Sequence, residues 1–345
     1  MTATMRAMLL SEPAPLAENP TPLKLTELAK PAPADDDLLI RVSVCAVCRT
    51  DLDVAEGRVV APQYPVVPGH QIVGRVEGVG KNPRFREGDR VGVAWINWTD
   101  GECQWCRTDR ENLCPRFRST GCDVNGGYAE YVVAPAAFVY PMPDALSDVE
   151  AAPLLCAGAI GWRSLRLTQL TDGQRLGLTG FGASAHLVLQ IARRRFPSSP
   201  ISVFARSPEE RQFALELGAN WAGDTADDPP APLDAIIDTT PAWKPVVEGL
   251  RNLAPGGRLV INAISKSSRD QNELLRLDYT THLWKEREIK SVANVTRADV
   301  REMLELAAAT GLRATTETMP LEEANHALNR LSEGARLRGS MVLQV

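Results

Sequence analysis

A glycine-rich loop between an apolar run and a helix-like segment constrains the fold of this chain more than any other feature. Residues 180–185 (GFGASA) match the pattern G-x-G-x-x-A, after the apolar run 176–179 and at the start of the helix-like segment 183–195. Such glycines allow a tight turn that brings the backbone close to a pyrophosphate at the positive end of a helix dipole. The hexapeptide alone could be a structural turn, but its context predicts a dinucleotide-binding loop that includes Gly180, Phe181 and Gly182.

The residues after this loop continue to alternate between apolar and helical segments. Apolar runs occur at 201–204, 233–237 and 258–261, and a segment with helical composition lies at 209–217. Alternation at this spacing is typical of right-handed crossovers between parallel strands. We therefore expect a doubly wound Rossmann-type domain over residues 156–294.

The end of the second strand in this region predicts which dinucleotide is bound. An Asp or Glu there would accept hydrogen bonds from the ribose 2′-hydroxyl of NAD. The chain instead has Ala205, followed by Arg206 and Ser207. A guanidinium group can pair with a 2′-phosphate, so we expect NADP(H) to be favoured over NAD(H). An Arg206 that is merely solvated, or that stacks on adenine, is the alternative.

The first part of the chain has a different pattern, with short extended segments separated by Gly and Pro. Strands are predicted at 38–44, 71–80 and 128–133, which favours a β-rich, barrel-like domain. After residue 295 we expect two helices, the first capped by Thr296 and stopped by Gly311, and a final strand that returns to the β-rich domain. The predicted organisation is an α/β protein with a catalytic domain made of residues 1–155 and 295–345.

Composition excludes several classes of partner. The net charge is −5 without a long run of one sign, so we expect neither nucleic acid nor an anionic membrane surface as a partner. No apolar stretch reaches the length of a membrane span, and the apolar run within residues 1–10 is too short for a secretory signal. We therefore expect a cytoplasmic protein.

The cysteines are clustered in a way that favours metal binding over disulfides. Their number is odd, seven, and their spacing is uneven, which does not suit a disulfide framework. Catalytic zinc usually has three protein ligands and an open position, and Cys48, His70 and Cys156 are the candidates. The cysteines are Cys45, Cys48, Cys103, Cys106, Cys114, Cys122 and Cys156.

The motifs around these candidates resemble the zinc-binding medium-chain alcohol dehydrogenases, and most closely the bacterial branch similar to cinnamyl alcohol dehydrogenases. The resemblance covers essentially the whole chain and implies a GroES-like catalytic domain. It also implies that Cys48 is the ligand and that Cys45 is a neighbour that does not bind. The matching segments are CRTD at 48–51, PGH at 68–70, ENLC at 111–114, GGYAEY at 126–131, LLCAG at 154–158 and SVAN at 291–294.

The same resemblance implies roles for residues beside the ligands. Asp51 would hold the ring of His70 through its second nitrogen, an arrangement that orients metal-bound histidines. Thr50 would hydrogen-bond the substrate oxygen and begin proton export. Arg49 would face the cofactor pyrophosphate. Trp95 would line the substrate pocket, unless it is a core residue of the β-rich domain.

Two positions near the candidate catalytic ligands depart from the family pattern. Gln71 follows His70 where the family usually has Glu, a change that removes a negative charge behind the zinc. Asp53 stands where the family often has a His at the outer end of a proton relay. Asp53 could carry the proton, or the relay could run through water and leave Asp53 as a solvated loop acid. We interpret His186, His282 and His326 as structural.

A second metal site is predicted with one unusual ligand. Cys103, Cys106 and Cys114 fit three of the four ligands of the structural zinc lobe in the family. The fourth position is Asp100 rather than Cys. A carboxylate can bind zinc, so a site with three Cys and one Asp is possible, and a metal-free lobe is the alternative. Cys122 is interpreted as structural.

The expected activity is reversible hydride transfer between an alcohol and NAD(P), with zinc polarising the substrate oxygen. One alternative is a zinc-free quinone or enoyl reductase of the same superfold, and another is a non-catalytic nucleotide-binding relative. The sequence leaves the identity of the alcohol or aldehyde open. The family forms dimers and tetramers, so we expect a homodimer or a homotetramer.

Overall fold

Short extended segments occupy the first part of the chain, and strands alternate with helices after it. The computed structural model describes residues 3–81, 84–333 and 338–345. The strands are β1 (Thr4–Leu10), β2 (Leu23–Ala29), β3 (Asp37–Ala46), β4 (Ile72–Val79), β5 (Arg90–Val93), β6 (Ile96–Trp98), β7 (Arg118–Ser119), β8 (Tyr131–Pro135), β9 (Val139–Pro141), β10 (Leu176–Thr179), β11 (Ile201–Phe204), β12 (Trp221–Gly223), β13 (Leu233–Asp238), β14 (Leu253–Ile261), β15 (Glu288–Ser291), β16 (Thr316–Pro320) and β17 (Ser340–Gln344).

Most of the helices are short. The α-helices are α1 (Arg49–Ala55), α2 (Asp148–Ala151), α3 (Ala157–Thr168), α4 (Ala185–Arg195), α5 (Pro208–Glu216), α6 (Lys244–Arg251), α7 (Arg297–Thr310) and α8 (Ala324–Ser332). Among the residues that the structure describes, six 3₁₀ turns lie at Cys106–Thr108, Glu111–Leu113, Ala136–Phe138, Ala152–Leu155, Gln271–Arg276 and Leu321–Glu323, and a π-helical turn lies at Tyr279–Leu283. Within the described ranges, none of these helices is long and apolar enough to cross a membrane.

The chain divides into two compact units. The first comprises Met1–Ala159, Asn294–Ala335 and Gly339–Val345, and the second comprises Ile160–Ala293 and Arg336–Arg338. These limits differ by a few residues from the predicted ones, and Cys156 lies in the first unit.

The first unit is built on a seven-stranded sheet. Its strand order is β16-β17-β3-β4-β5-β9, and β8 pairs with β3. All of these pairings are antiparallel except that of β16 with β17. β17 pairs with β3, so the final strand joins the sheet built by the first 140 or so residues, as the sequence predicts. The β-rich character of this unit is therefore confirmed.

The second unit is a six-stranded parallel sheet with the order β12-β11-β10-β13-β14-β15. The chain adds β11 and β12 on one side of β10 and then crosses to add β13, β14 and β15 on the other. The strand order therefore reverses between β10 and β13, at the place where doubly wound sheets bind ligands. The predicted doubly wound parallel sheet is confirmed.

Several predicted elements differ from the structure at their ends. The strand predicted at 128–133 begins only at Tyr131, and β14 begins at Leu253 rather than at 258. The helix predicted at 321–331 consists of a 3₁₀ turn followed by α8. The capping prediction for α7 is confirmed, because the Thr296 side chain accepts a hydrogen bond from the backbone of Asp299 and Gly311 ends the helix with a φ of 67°.

Candidate metal centre and nucleotide-binding loop

Three distant segments of the first unit bring Cys48, His70 and Cys156 together. Cys48 precedes α1, His70 precedes β4, and Cys156 lies between a 3₁₀ turn and α3. Their ligand atoms all lie within 4.8 Å of one another. The two Sγ atoms are 4.0 Å apart, and His70 Nε2 is 3.3 Å from Cys156 Sγ. Tetrahedral zinc with ordinary bond lengths places two sulfurs about 3.8 Å apart and a sulfur and a nitrogen about 3.5 Å apart, so the donor set fits this ion.

A glycine makes room for this cluster. Gly69, directly before His70, has a φ of 95°, which is in the left-handed region. A Cβ on Gly69 would lie 2.4 Å from the ring of Tyr128 and 2.9 Å from Cys45 Sγ. A side chain at position 69 would therefore both strain the backbone and displace the groups packed behind His70.

Asp51 lies behind His70 and fixes its ring. The Asp51 carboxylate accepts hydrogen bonds from His70 Nδ1 at 2.8 Å, from the Tyr128 hydroxyl at 3.1 Å and from the Cys48 backbone N–H at 2.8 Å. Asp51 and His70 are both essentially buried. Because Asp51 holds Nδ1, the ring directs Nε2 toward the two sulfurs, where Nε2 can bind a metal once it is deprotonated.

The electrostatics of the cluster favour a thiolate. A hydrogen bond from Cys156 holds the pKa of the Cys48 thiol well below its ordinary value, and the same contact raises the pKa of Cys156 well above it. Burial by itself would lower the pKa of His70, but Asp51 and the Cys48 thiolate raise it to about 10. The protons retained here are those that a divalent cation displaces when it binds.

The remaining predicted residues of this site occupy different positions around it. Thr50 Oγ1 lies 3.8 Å from Cys48 Sγ. Gln71 is buried, and its side-chain oxygen accepts a long hydrogen bond of 3.4 Å from the backbone of Ala157, directly after Cys156. The Glu-to-Gln departure thus leaves a neutral amide behind the cluster.

Asp53 is not the solvated loop acid that one interpretation allowed. It is 1% exposed, and its carboxylate accepts a hydrogen bond of 2.6 Å from Arg58 Nε. Arg49 Nε lies 3.8 Å from the same carboxylate, and the Arg49 guanidinium also donates to the carbonyl of Leu331. Burial raises the pKa of Asp53, while the two arginines act against this shift.

Trp95 is buried and also contacts the candidate centre, so its two interpretations are compatible. It is 8% exposed, and its ring meets that of His70 edge to face with centroids 4.9 Å apart. Its indole N–H donates to Asn294 Oδ1 at 2.9 Å. Sequence reasoning assigned no role to Asn294 or Tyr128, because both were noted only as parts of longer matching segments.

The second cysteine cluster gathers Asp100, Cys103, Cys106 and Cys114. Their ligand atoms lie within 4.8 Å of one another, and the Sγ atoms of Cys103 and Cys106 are 3.6 Å apart. Asp100 accepts hydrogen bonds from the backbone N–H groups of Cys103 and Glu102 and from Arg116, and the backbone bonds hold the pKa of its carboxyl far below the usual range. Three sulfurs and one ionised carboxylate form a set that suits zinc.

The other predicted structural residues lie outside the two clusters. Cys122 is buried, and burial raises the pKa of its thiol to about 11. His186 and His282 are buried and His326 is exposed. His186 lies in the first turn of α4, where Nδ1 contacts the Gly182 carbonyl at 3.2 Å, and burial lowers its pKa to about 4.

In the second unit, the glycine loop connects β10 to α4 at the reversal of strand order. Gly180 has a φ of 77°, and a Cβ there would lie 2.9 Å from Thr240 Cγ2. The Phe181 side chain is buried edge to face against Phe213, so only its backbone is available to a ligand. A Cβ on Gly182 would meet no atom within 4 Å, which leaves open space on that side of the loop.

A buried ion pair lies beside this loop. Asp238, the last residue of β13, is fully buried and contacts the ammonium group of Lys266. It also accepts a hydrogen bond of 2.6 Å from Thr179, the residue before Gly180. Lys266 Nζ donates to the carbonyls of Thr240 and Ala242 at 2.8 and 2.9 Å. The ends of β10 and β13 and the segments that follow β13 and β14 are thereby held together by one charged network.

The end of β11 presents Arg206 and Ser207. Arg206 is exposed, whereas the Ser207 hydroxyl caps α5 by accepting a hydrogen bond of 3.3 Å from the backbone of Glu210. The Arg211 guanidinium donates to the carbonyls of Ala205 and Arg206. The strand therefore ends in a turn that carries an exposed guanidinium group and no carboxylate at positions 205–207.

Comparisons with known proteins agree with this architecture. Residues 34–144 match the sequence profile of the alcohol dehydrogenase GroES-like domain. The chain is 44% identical to the probable alcohol dehydrogenase AdhA of Mycobacterium tuberculosis, over 100% of this chain and 98% of that protein. It is 32% identical to an alcohol dehydrogenase of Geobacillus stearothermophilus, over 94% and 96%. A solved cinnamyl alcohol dehydrogenase from Sorghum bicolor superimposes with a TM-score of 0.85 at 27% identity, over 99% and 98% of the two chains.

Proposed function

We propose that this chain, which belongs to the alcohol dehydrogenase family, is a zinc- and NADP(H)-dependent enzyme that interconverts a small primary alcohol and its aldehyde. The observation that carries the proposal is the convergence of Cys48, His70 and Cys156, with Asp51 hydrogen-bonded behind the imidazole. Three donors leave a fourth tetrahedral position for a substrate oxygen, as in catalytic rather than structural zinc sites.

The residues of the chain fit zinc in charge as well as in number. Two thiolates and a neutral imidazole together cancel the formal charge of a divalent cation. When bound, zinc would act as a Lewis acid that polarises the oxygen of the alcohol or aldehyde. Asp51 orients His70 for this role, and the ring of Trp95 packs against the imidazole.

Proton transfer is proposed to begin at Thr50. Its hydroxyl lies next to Cys48 and can both accept and donate a hydrogen bond, so it can pass on the proton of a substrate hydroxyl. Asp53 is the proposed outer member of the relay. Its burial favours the protonated carboxyl, and Arg58 and Arg49 hold it in place.

The cofactor is proposed to bind with its pyrophosphate on Gly180, Phe181 and Gly182 at the start of α4. Arg49 would pair with the pyrophosphate, and the nicotinamide ring would supply or accept the hydride. Arg206 and Ser207 support a preference for NADP(H), since Ala205 stands where NAD would require a carboxylate and an exposed guanidinium follows it. The second cluster, Asp100 with Cys103, Cys106 and Cys114, is proposed as a structural zinc site.

Other aspects of the proposal concern assembly and location. The four residues of β15 form an exposed edge of the parallel sheet, which supports pairing with a second copy in a homodimer or homotetramer. The seven cysteines are free thiols, which supports a reducing, cytoplasmic location. The two thiols and the imidazole gathered in the first unit argue against a zinc-free reductase.

The metal assignment is tested by Cys156→Ala, with Cys45→Ala as the matched control. We expect Cys156→Ala to lose aldehyde-dependent NADPH oxidation and the catalytic metal while its circular dichroism spectrum stays unchanged. Cys45 is a buried thiol in the same region that is not in the ligand set, so Cys45→Ala should keep its zinc. Full activity in metal-depleted Cys156→Ala would overturn the assignment.

The cofactor preference is tested by Arg206→Ala, with Arg195→Ala as the control. Arg195 is an exposed arginine at the far end of α4 from the glycine loop. Removal of a charge-assisted pair should raise the KM for NADPH about tenfold or more and leave that for NADH nearly unchanged. An equal change for both dinucleotides would contradict recognition of the 2′-phosphate by Arg206.

A further inference from the structure

Asn294 has a backbone conformation that few residues adopt. Its φ is 52°, in the left-handed region, where Asn is tolerated better than most side chains other than Gly. It lies in the first unit, between β15 and the Thr296 cap of α7. The side chain of this residue makes two long-range contacts.

The Asn294 amide joins two segments that are far apart in the sequence. Its Oδ1 accepts the indole N–H of Trp95 at 2.9 Å, and its Nδ2 donates to the carbonyl of Asn112 at 3.1 Å. Trp95 in turn packs edge to face on His70. Asn112 lies two residues before Cys114, in the 3₁₀ turn that leads into the second cysteine cluster. One side chain therefore links the wall of the proposed substrate site to the turn beside that cluster.

A second contact fixes the same turn. Glu111 accepts hydrogen bonds from the backbone N–H of Arg297 at 2.8 Å and from its guanidinium at 2.7 Å. The start of α7 is thus attached to the turn through Arg297, three residues after Asn294. The two attachments reach adjacent residues of the turn, Glu111 and Asn112. A shift of the turn therefore moves Asn294, and with it the Oδ1 atom that accepts the hydrogen bond from Trp95.

The chemistry of this link requires an amide. Asn and Gln carry an acceptor and a donor on one amide group, and of these two Asn is better suited to a left-handed backbone. An aspartate would keep the acceptor for Trp95 but would present a carboxylate to the Asn112 carbonyl. A glycine would keep the backbone conformation and lose both contacts.

We propose that Asn294 is a positioning residue for substrate binding, which couples the position of Trp95 to the Asp100, Cys103, Cys106 and Cys114 cluster. The inference rests on the proposed function, because it takes Trp95 as a wall of the substrate site. Loss of order in the second cluster would then weaken substrate binding without removing a ligand from the candidate centre.

Three variants test this proposal. Asn294→Gly removes both contacts, Asn294→Asp keeps the one to Trp95, and Trp95→Phe removes the indole donor. We expect Asn294→Gly to raise the aldehyde KM about tenfold, the ratio that corresponds to one lost hydrogen bond of about 1.4 kcal/mol. The kcat, the NADPH KM and the zinc content per chain should change little. In a Trp95→Phe background, Asn294→Gly should have no further effect on KM, since it acts through the indole.

Asn294→Asp separates the two ends of the link. The proposal requires a KM between those of the wild type and Asn294→Gly. A wild-type KM in Asn294→Asp would overturn the coupling to the second cluster, and additive effects of Asn294→Gly and Trp95→Phe would overturn the action through Trp95.

A readout that does not depend on turnover separates this inference from the proposed function. The emission of Trp95, obtained as the difference between matched proteins with Trp and Phe at position 95, should shift in Asn294→Gly and shift less in Asn294→Asp. Zinc release from the second cluster to a chelator should be faster in both Asn294 variants. If the wild type turned over no alcohol or aldehyde, the proposed function would fail, while unchanged emission and unchanged release would each overturn the role of Asn294.

Discussion

Asp51→Asn offers the sharpest test of how the candidate centre is organised. The three groups that contact the carboxylate are the ring of His70, the hydroxyl of Tyr128 and the backbone N–H of Cys48. An asparagine amide has one oxygen and one NH₂ group, and it cannot accept from all three. If its NH₂ faces Cys48, the backbone N–H loses its acceptor. If it faces His70, the ring must carry its proton on Nε2, where it cannot bind a metal.

The size of the effect follows from this geometry. Loss of an outer carboxylate behind a metal-bound histidine typically weakens metal binding by about 10–100-fold, or about 1.4–2.8 kcal/mol. We expect the upper part of this range, because Asp51 and His70 are both buried and water cannot replace the lost partner. Tyr128→Phe removes only a neutral hydroxyl and should weaken binding by less than about tenfold.

The assay is competition for zinc against a chelator of known affinity, with kcat and KM then measured at saturating zinc. The two variants should differ clearly in metal affinity while their thermal unfolding remains cooperative. Equal affinities of Asp51→Asn and the wild type would refute the idea that Asp51 sets the tautomer of His70. A loss confined to kcat, with metal affinity unchanged, would assign Asp51 to a later step.

Two further predictions concern the nucleotide-binding unit. Gly180→Ala should destabilise the protein, because its Cβ would lie 2.9 Å from Thr240 at a backbone φ of 77°. Gly182→Ala should fold normally and weaken NADPH binding, since its Cβ would meet no atom within 4 Å. Urea unfolding and cofactor titration separate the two effects, and equal stability of the two variants would contradict the reasoning. Lys266→Met leaves buried Asp238 without its cation and should lower the free energy of unfolding by about 3–5 kcal/mol. A second change, Asp238→Asn, should restore most of this loss, whereas a Lys266→Met variant as stable as the wild type would contradict the prediction.

The sequence allowed the ligand set of the candidate centre to be proposed because each ligand carries a recognisable neighbourhood. Cys48, His70 and Cys156 each lie in a short motif that can be matched without knowledge of the fold. The glycine loop was predictable for the same reason, since adjacent residues determine both the turn and the strand before it. The parallel direction of the strands followed from their alternation with helices.

Contacts between distant segments could not be predicted in this way. The bond from Trp95 to Asn294 joins residues 199 positions apart, and the Lys266–Asp238 pair joins the end of β13 to the segment after β14. Periodicity does not encode such pairings, because a single polar residue carries no pattern. The burial of Asp53 and its hydrogen bond from Arg58 were not predictable either, since an isolated Asp carries no pattern that distinguishes a buried position from an exposed one. Phe181 was predicted within the loop, but the direction of its side chain depended on Phe213.

The position of β17 has a consequence for biosynthesis. This strand fills the gap between β16 and β3, so the antiparallel sheet stays incomplete until residues 340–344 have left the ribosome. The six parallel strands, by contrast, are all contained in residues 160–293 and can assemble while the remainder is still being translated. The nascent protein should therefore acquire its dinucleotide-binding sheet first, while Cys48, His70 and Cys156 lie beside a sheet that lacks β17 until residues 340–344 have emerged.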